Sequence, residues 1–205
     1  SVRARLMDRE AHHGWDVPGH GIEGYLFPDT YRCARGVPLD VVIAAMVKRY
    51  RQVWTPGRIA RLEDLDMSEN ELVTLASIIQ AEARRVGEMS TISAVYHNRL
   101  RLGYLLQADP TVLYALGGRR ERLLFAAIDS VADNPYNTYT HRGLPPGPIA
   151  APGEAAIHAA LYPADERYLY FVARPDGSHI FTNSLEEHNR AREVARSERS
   201  ATDNR

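Results

Sequence analysis

The sequence predicts an α+β fold, mainly helical, and three observations carry that expectation. Apolar residues recur at helical spacing in several segments between Pro38 and Leu161. Two β-prone runs near the C-terminus, RYLYFVAR and SHIFTN, flank the turn signal Pro175-Asp176-Gly177, which is the pattern of a hairpin. Between these regions, Asp133 to Gly153 is too rich in Pro, Gly, Asn and Tyr for regular structure and reads as a long shaped loop of the kind that carries function.

Residues 1–21 cluster His, Gly and Pro without periodicity and read as an upstream remnant or linker. From Pro38, Leu39, Val42, Ile43, Met46, Val47 and Tyr50 form one face of an amphipathic helix, with Asp40, Ala44, Lys48 and Arg51 opposite. Thr55-Pro56-Gly57 should end it, followed by a polar, arginine-rich connection. Ser68-Glu69-Asn70-Glu71 has the form of a capping box and starts a second helix that should break near Gly87. MSTISAVYHNRLRL offers a third helix closed by Gly103, and Asp109 is placed to cap a short one with Pro110 in its first turn. GEAAIHAALYP reads as a further short helix, and SLEEHNRAREVARSERS as a terminal helix giving way to a polar tail over residues 196–205.

Composition excludes some functions. A chain of 205 residues suits one domain, and its 25 basic and 26 acidic residues are interspersed, so no global field would draw nucleic acid or an anionic membrane. Cys33 is the one cysteine; it has no disulfide or CxxC partner and is expected as a small core residue. None of the eight histidines forms an HxxxH or HExxH pair, so no metal is expected. Signatures for a serine nucleophile, a P-loop or a dinucleotide are absent from the sequence. No apolar run reaches the roughly 18 residues that span a bilayer.

The chemistry converges on Glu82. On a wheel of the second helix it falls with Leu75, Ile78 and Ile79, on the buried side. A carboxyl there either raises its pKa and holds the proton a general acid needs, or pairs with a buried arginine such as Arg99, or lies at the edge of the stripe and reaches solvent. Helix geometry alone favours the latter two, structural readings, the ion pair first among them. Gln107, Asp109 and Thr111 crowd polar groups into one turn, which also reads as plain capping. Asn137 and Tyr139 lie in a run that interleaves amides with aromatic rings, suited to sugar hydroxyls and pyranose faces or to covering a core. Glu23 and Asp29, in an aromatic, Pro-containing block, suit folding better than catalysis.

Six blocks, EGYLFPDTY, ASIIQAEA, YHNRL, LQADPTVLYALG, NPYNTYTHRGLPPGPIAAPGEAAIHAAL and YLYFVARPDGSHIFTNSLEEHN, resemble the YceG-like family of endolytic murein transglycosylases in content and order. The resemblance makes residues 22–195 the catalytic domain and Glu82 the catalytic residue. It implies cleavage of the MurNAc–GlcNAc bond in peptidoglycan strands without a cofactor. Glu82 protonates the glycosidic oxygen, then takes the proton of the muramic acid C6 hydroxyl, leaving a 1,6-anhydro end. Gln80 stands where many relatives carry a second glutamate, so one carboxyl should serve for both transfers. Gln107, Asp109, Thr111, Asn137 and Tyr139 are the expected substrate shell.

The resemblance further implies a membrane helix and a LysM-like region before Glu23, a place on the periplasmic side of the inner membrane, and peptidoglycan synthases as candidate partners. Two rival readings stand beside it. One is a non-catalytic glycan-binding or scaffold module using the same aromatic loop. The other, an aminodeoxychorismate lyase-like label used in the family, needs a lysine for pyridoxal phosphate; it is rejected because Lys48, the only lysine, lies on a polar helix face rather than in a cleft.

Overall fold

The computed structural model describes Trp15 and residues 17–19, 21–118 and 125–203. In chain order the elements are α1 (Leu39–Val53), α2 (Pro56–Asp64), α3 (Glu69–Glu82), a 3-10 turn at Val86–Glu88 and α4 (Met89–Arg101). They continue with α5 (Asp109–Ala115), α6 (Phe125–Asp129), α7 (Glu154–Leu161), β1 (Tyr170–Ala173), β2 (His179–Thr182) and α8 (Leu185–Asp203). Helices thus dominate, with one antiparallel hairpin, as the α+β expectation required. Most of the segment read as an upstream remnant lies outside the described residues.

The core is built around α3. Ser68 Oγ accepts from the Glu71 amide at 3.2 Å and the Glu71 carboxylate accepts from the Ser68 amide at 2.8 Å, so the capping box forms in full. Every residue from Leu72 to Ile79 is then buried, and the helix is covered on all sides rather than along one stripe. Its two hydroxyls are satisfied on the backbone, Thr74 on Asn70 O and Ser77 on Thr74 O, both at 2.7 Å. α7 and α4 pack against α3, while Tyr25, Tyr50 and Val53 close the N-terminal side. Tyr25 donates to Asn70 at 2.8 Å, and Tyr50 donates to Glu69.

The Pro- and Gly-rich loop is tied down along α3. Asn70 donates to Pro146 O at 3.3 Å, Ser77 Oγ accepts from the Ile149 amide at 3.0 Å, and Gln80 Oε1 accepts from the Gly153 amide at 3.1 Å. Three polar residues of a buried helix thus receive successive parts of one irregular strand, satisfying backbone groups that have no ladder. Gly24, at φ +88°, lies so close to the Pro148 ring that a Cβ would meet it at 2.4 Å, which explains a glycine there. The hairpin pairs Tyr170 with Thr182 and Phe171 with Phe181 around Gly177 at φ +81°.

Four expectations need correction. Thr55-Pro56-Gly57 does end α1, but it also starts α2: Thr55 Oγ1 accepts from the Arg58 amide at 3.3 Å and Pro56 takes the first helical position. α3 stops at Glu82 rather than near Gly87, since Ala83 is extended and the Arg85 guanidinium is held by Asp176 of the hairpin turn. Cys33 is exposed, on the irregular stretch before α1, and belongs to no core. The terminal helix runs on to Asp203, so most of the stretch expected as a tail is helical, though polar and largely exposed.

Leu75→Ala is expected to lower the unfolding free energy by about 2–5 kcal/mol with an unchanged denaturant slope, because its site is closed on all sides and cannot collapse. A loss under 1 kcal/mol by urea titration would show that α3 is not the centre of the core.

Candidate active site

Glu82 is the last residue of α3, where the buried helix emerges beside α4 and the first turn of α5. The residue keeps part of its surface open to solvent while dense protein surrounds its carboxyl. That burial is the main reason its pKa rises from 4.5 to about 7. Tyr96 on α4 donates to Oε1 at 2.9 Å and works in the opposite direction, favouring the ionised form. The charge of Asp109 repels a second negative charge and adds to the rise. Arg99, the proposed ion-pair partner, turns elsewhere. It is 7% exposed and donates to the carbonyls of Leu105, Leu106 and Leu169 and to Gln107 Oε1, with its guanidinium 5.0 Å from the Tyr170 ring centre.

Asp109 does not cap α5. Ala108 occupies the cap position, and Asp109 follows it with its carboxylate accepting from the Tyr139 hydroxyl at 2.5 Å. Two segments 30 residues apart thereby meet in one acid–phenol pair on the Glu82 side, and burial with the Asp109 charge pushes the Tyr139 pKa up. Gln107 is exposed and has a φ of +50°, a conformation fixed by its amide donating to Thr138 O at 3.0 Å and by Arg99 on its side chain.

The other two members of the expected shell turn inward. Thr111 is fully buried and bonds to Ala108 O and to Thr138 Oγ1, both at 2.8 Å. Asn137 is also buried; its amide donates to the carbonyls of Ile128 and Val131 while its oxygen accepts from the Tyr139 amide at 3.0 Å. Both hold the loop that presents Tyr139 and offer no surface to a ligand. Glu23 accepts from Tyr114 at 2.6 Å and Asp29 pairs with Arg49 at 2.9 Å, so these two acids serve the fold. Lys48 is exposed on α1.

Tyr96 was missed as a site residue. The available signal was a tyrosine on a buried, mainly apolar helix face, where a hydroxyl needs a partner. A cleft of about 680 Å³ lies at the other end of α3, beside Met67, Glu71, His97, Leu100 and Leu144. Glu71 is eleven residues from Glu82, about 17 Å along the helix axis. Its carboxylate is spent on Ser68, and Asn98 of the same cleft on the carbonyls of Glu166 and Tyr168. Asp109, Tyr139 and the carboxyl with the raised pKa lie at the Glu82 end of α3. No group of three metal-ligating side chains occurs among the described residues.

The Glu82 geometry sets a stability signature. A carboxyl whose folded pKa exceeds its unfolded value favours the fold only while protonated. That contribution is complete below pH 4.5 and is lost as pH rises through about 7. Glu82→Gln removes the titration, so the variant should match the wild type at pH 4 and exceed it by roughly 2–3 kcal/mol at pH 8. Equal wild-type and variant denaturation curves at both pH values would mean that the carboxyl is normally solvated.

Residues 3–194 match the model of the YceG-like family. A Bacillus subtilis (strain 168) protein named endolytic murein transglycosylase is 41% identical over 175 residues, covering 85% of this chain and 48% of that protein. A Streptococcus pneumoniae protein of the same name is 32% identical over 173 residues, covering 82% and 31%. A solved structure of a YceG-like protein from Listeria monocytogenes superposes with a TM-score of 0.75 at 40% identity, covering 82% of this chain and 55% of that one. The chain spans about half the length of the Bacillus relative and less of the streptococcal one. By the extent of the family match and these identities, the chain belongs to the YceG-like family.

Proposed function

We propose that this chain is the catalytic part of an endolytic peptidoglycan lytic transglycosylase, with Glu82 as both general acid and general base. One observation carries the reading: a carboxyl desolvated enough to hold its proton to about pH 7, on a residue at the end of the buried helix that keeps part of its surface open to solvent. Glu82 gives its proton to the oxygen of the MurNAc–GlcNAc bond as the bond to C1 breaks. The carboxylate left behind accepts the proton of the C6 hydroxyl as O6 closes on C1. The products are a free hydroxyl on the departing sugar and a 1,6-anhydro end, with Glu82 protonated again. Asp109, held by Tyr139, supplies negative charge against the cationic character that C1 gains as the bond breaks. Gln107 and Tyr139 are the remaining candidates for contact with the sugars.

Asp109 also favours a second reading. A second carboxylate near the acid is the equipment of hydrolysis, with water in place of the C6 hydroxyl. The names of the relatives support the first reading, and the product ends distinguish the two. The reaction belongs where peptidoglycan lies, on the periplasmic side of the inner membrane; a membrane anchor and contacts with wall synthases are proposals that follow from the family. Among the described residues no helix is long and apolar enough to cross a membrane.

Uncrosslinked glycan strands incubated with the protein are expected to yield anhydro-ended fragments by mass spectrometry. Glu82→Gln should reduce their formation by on the order of 10²–10⁴-fold. The rate should fall as pH rises through about 7, where Glu82 loses its proton. Reducing ends would establish hydrolysis, and intact strands that still bind the protein would make it a glycan-binding module.

A further inference from the structure

We infer that Tyr96 is the positioning residue of this site: by holding Oε1 of Glu82 it fixes Oε2 as the oxygen that carries and delivers the proton. The inference rests on the proposed role of Glu82 and specifies which atom performs it.

Tyr96 is buried on α4, with its hydroxyl 2.9 Å from Glu82 Oε1. Among the described residues that carboxyl is the hydroxyl's hydrogen-bond partner, so the phenolic proton has Glu82 as its acceptor. A buried O–H without an acceptor is strongly disfavoured, which sets the direction of the bond. A neutral carboxyl has one proton, and its carbonyl oxygen is a much better acceptor than its hydroxyl oxygen, so the oxygen that accepts from Tyr96 is favoured as the carbonyl. The proton therefore resides on Oε2. The phenol is itself held: Phe171 of β1 meets its ring edge-on at 5.9 Å and 87°, and Phe171 in turn contacts His179 and Phe181 across the hairpin. Hairpin and helix together fix the hydroxyl, which is the task of a supporting shell around a catalytic group.

The other ionisable groups facing Glu82 act differently. Asp109, from the first turn of α5, acts through charge, and Tyr139, from the loop, is bonded to Asp109. Arg99, one turn beyond Tyr96 on α4, has its donors on backbone carbonyls and Gln107. Tyr96 is the one that grips the carboxyl itself. Its bond also favours the ionised form, so it limits the rise that burial causes and keeps the acid strong enough to give up its proton.

The test uses Tyr96→Phe, which keeps the ring against Phe171 and removes the hydroxyl. Glu82 is titrated directly by carbon-13 NMR of the glutamate carboxyls in substrate-free protein, its signal assigned by loss in Glu82→Gln. Tyr96→Phe is expected to raise the Glu82 pKa and move the alkaline limb of the pH–rate profile upward. It should also lower kcat about tenfold or more, the rate equivalent of one charge-assisted hydrogen bond, with KM nearly unchanged. Replacing Tyr96 with 3-fluorotyrosine, a stronger donor of the same shape, should shift the Glu82 pKa down. An unmoved Glu82 titration in both variants overturns the inference even where Glu82→Gln is inactive. Full cleavage by Glu82→Gln would overturn the proposed function instead, and the NMR titration would still report on the Tyr96 bond.

Discussion

A carboxyl deprived of water must find a cation or hold its proton to higher pH, and at the end of α3 the second outcome prevails. Glu82 emerges from a helix whose preceding residues from Leu72 to Ile79 are all buried, so the desolvation that acts on it comes from the core itself. Arg99, three residues after Tyr96 on α4, was the cation expected to neutralise it. That guanidinium is committed to three backbone carbonyls from two irregular segments, which would otherwise be buried acceptors without donors. The same arginine thus fixes the strands around the site and stays off the acid. Had Arg99 paired with Glu82, the carboxyl would be ionised at neutral pH and would have no proton to give.

Most of the fold was legible because its signals are local. The capping box at Ser68, the spacing in α1 and the turn at Gly177 each specify their element within a few residues. Errors arose where one residue pattern has two meanings or where a distant contact decides. Thr55-Pro56 stops one helix and starts another, and only the Arg58 amide on Thr55 tells which meaning dominates. The end of α3 is set with the help of Arg85 reaching Asp176, a contact between residues 91 apart. The site divides in the same way. Helix position marked Glu82 only as a buried acid, and the resemblance singled it out, whereas Thr111 and Asn137 looked like ligand groups because polar side chains in a turn read alike whether they face outward or hold the turn. Direction is a property of packing, not of spacing.

The block around Glu82 holds one carboxylate of the site, and the fold brings another beside it from elsewhere in the chain. Gln80, two residues before Glu82, suggested a site with a single acid, and its side chain proves to hold the Gly153 amide at the end of the loop. The second carboxylate comes from Asp109, 27 positions after Glu82, and is brought there by the start of α5 and by the Tyr139 hydroxyl. Its charge makes ionisation of Glu82 harder, and on the proposed mechanism the same charge would favour the cationic character that C1 gains only in the transition state. The placement of Asp109 depends on the buried Asn137 and Thr138 that hold the loop in shape. The residues that looked like ligands and are not are the ones that make the site geometrically possible.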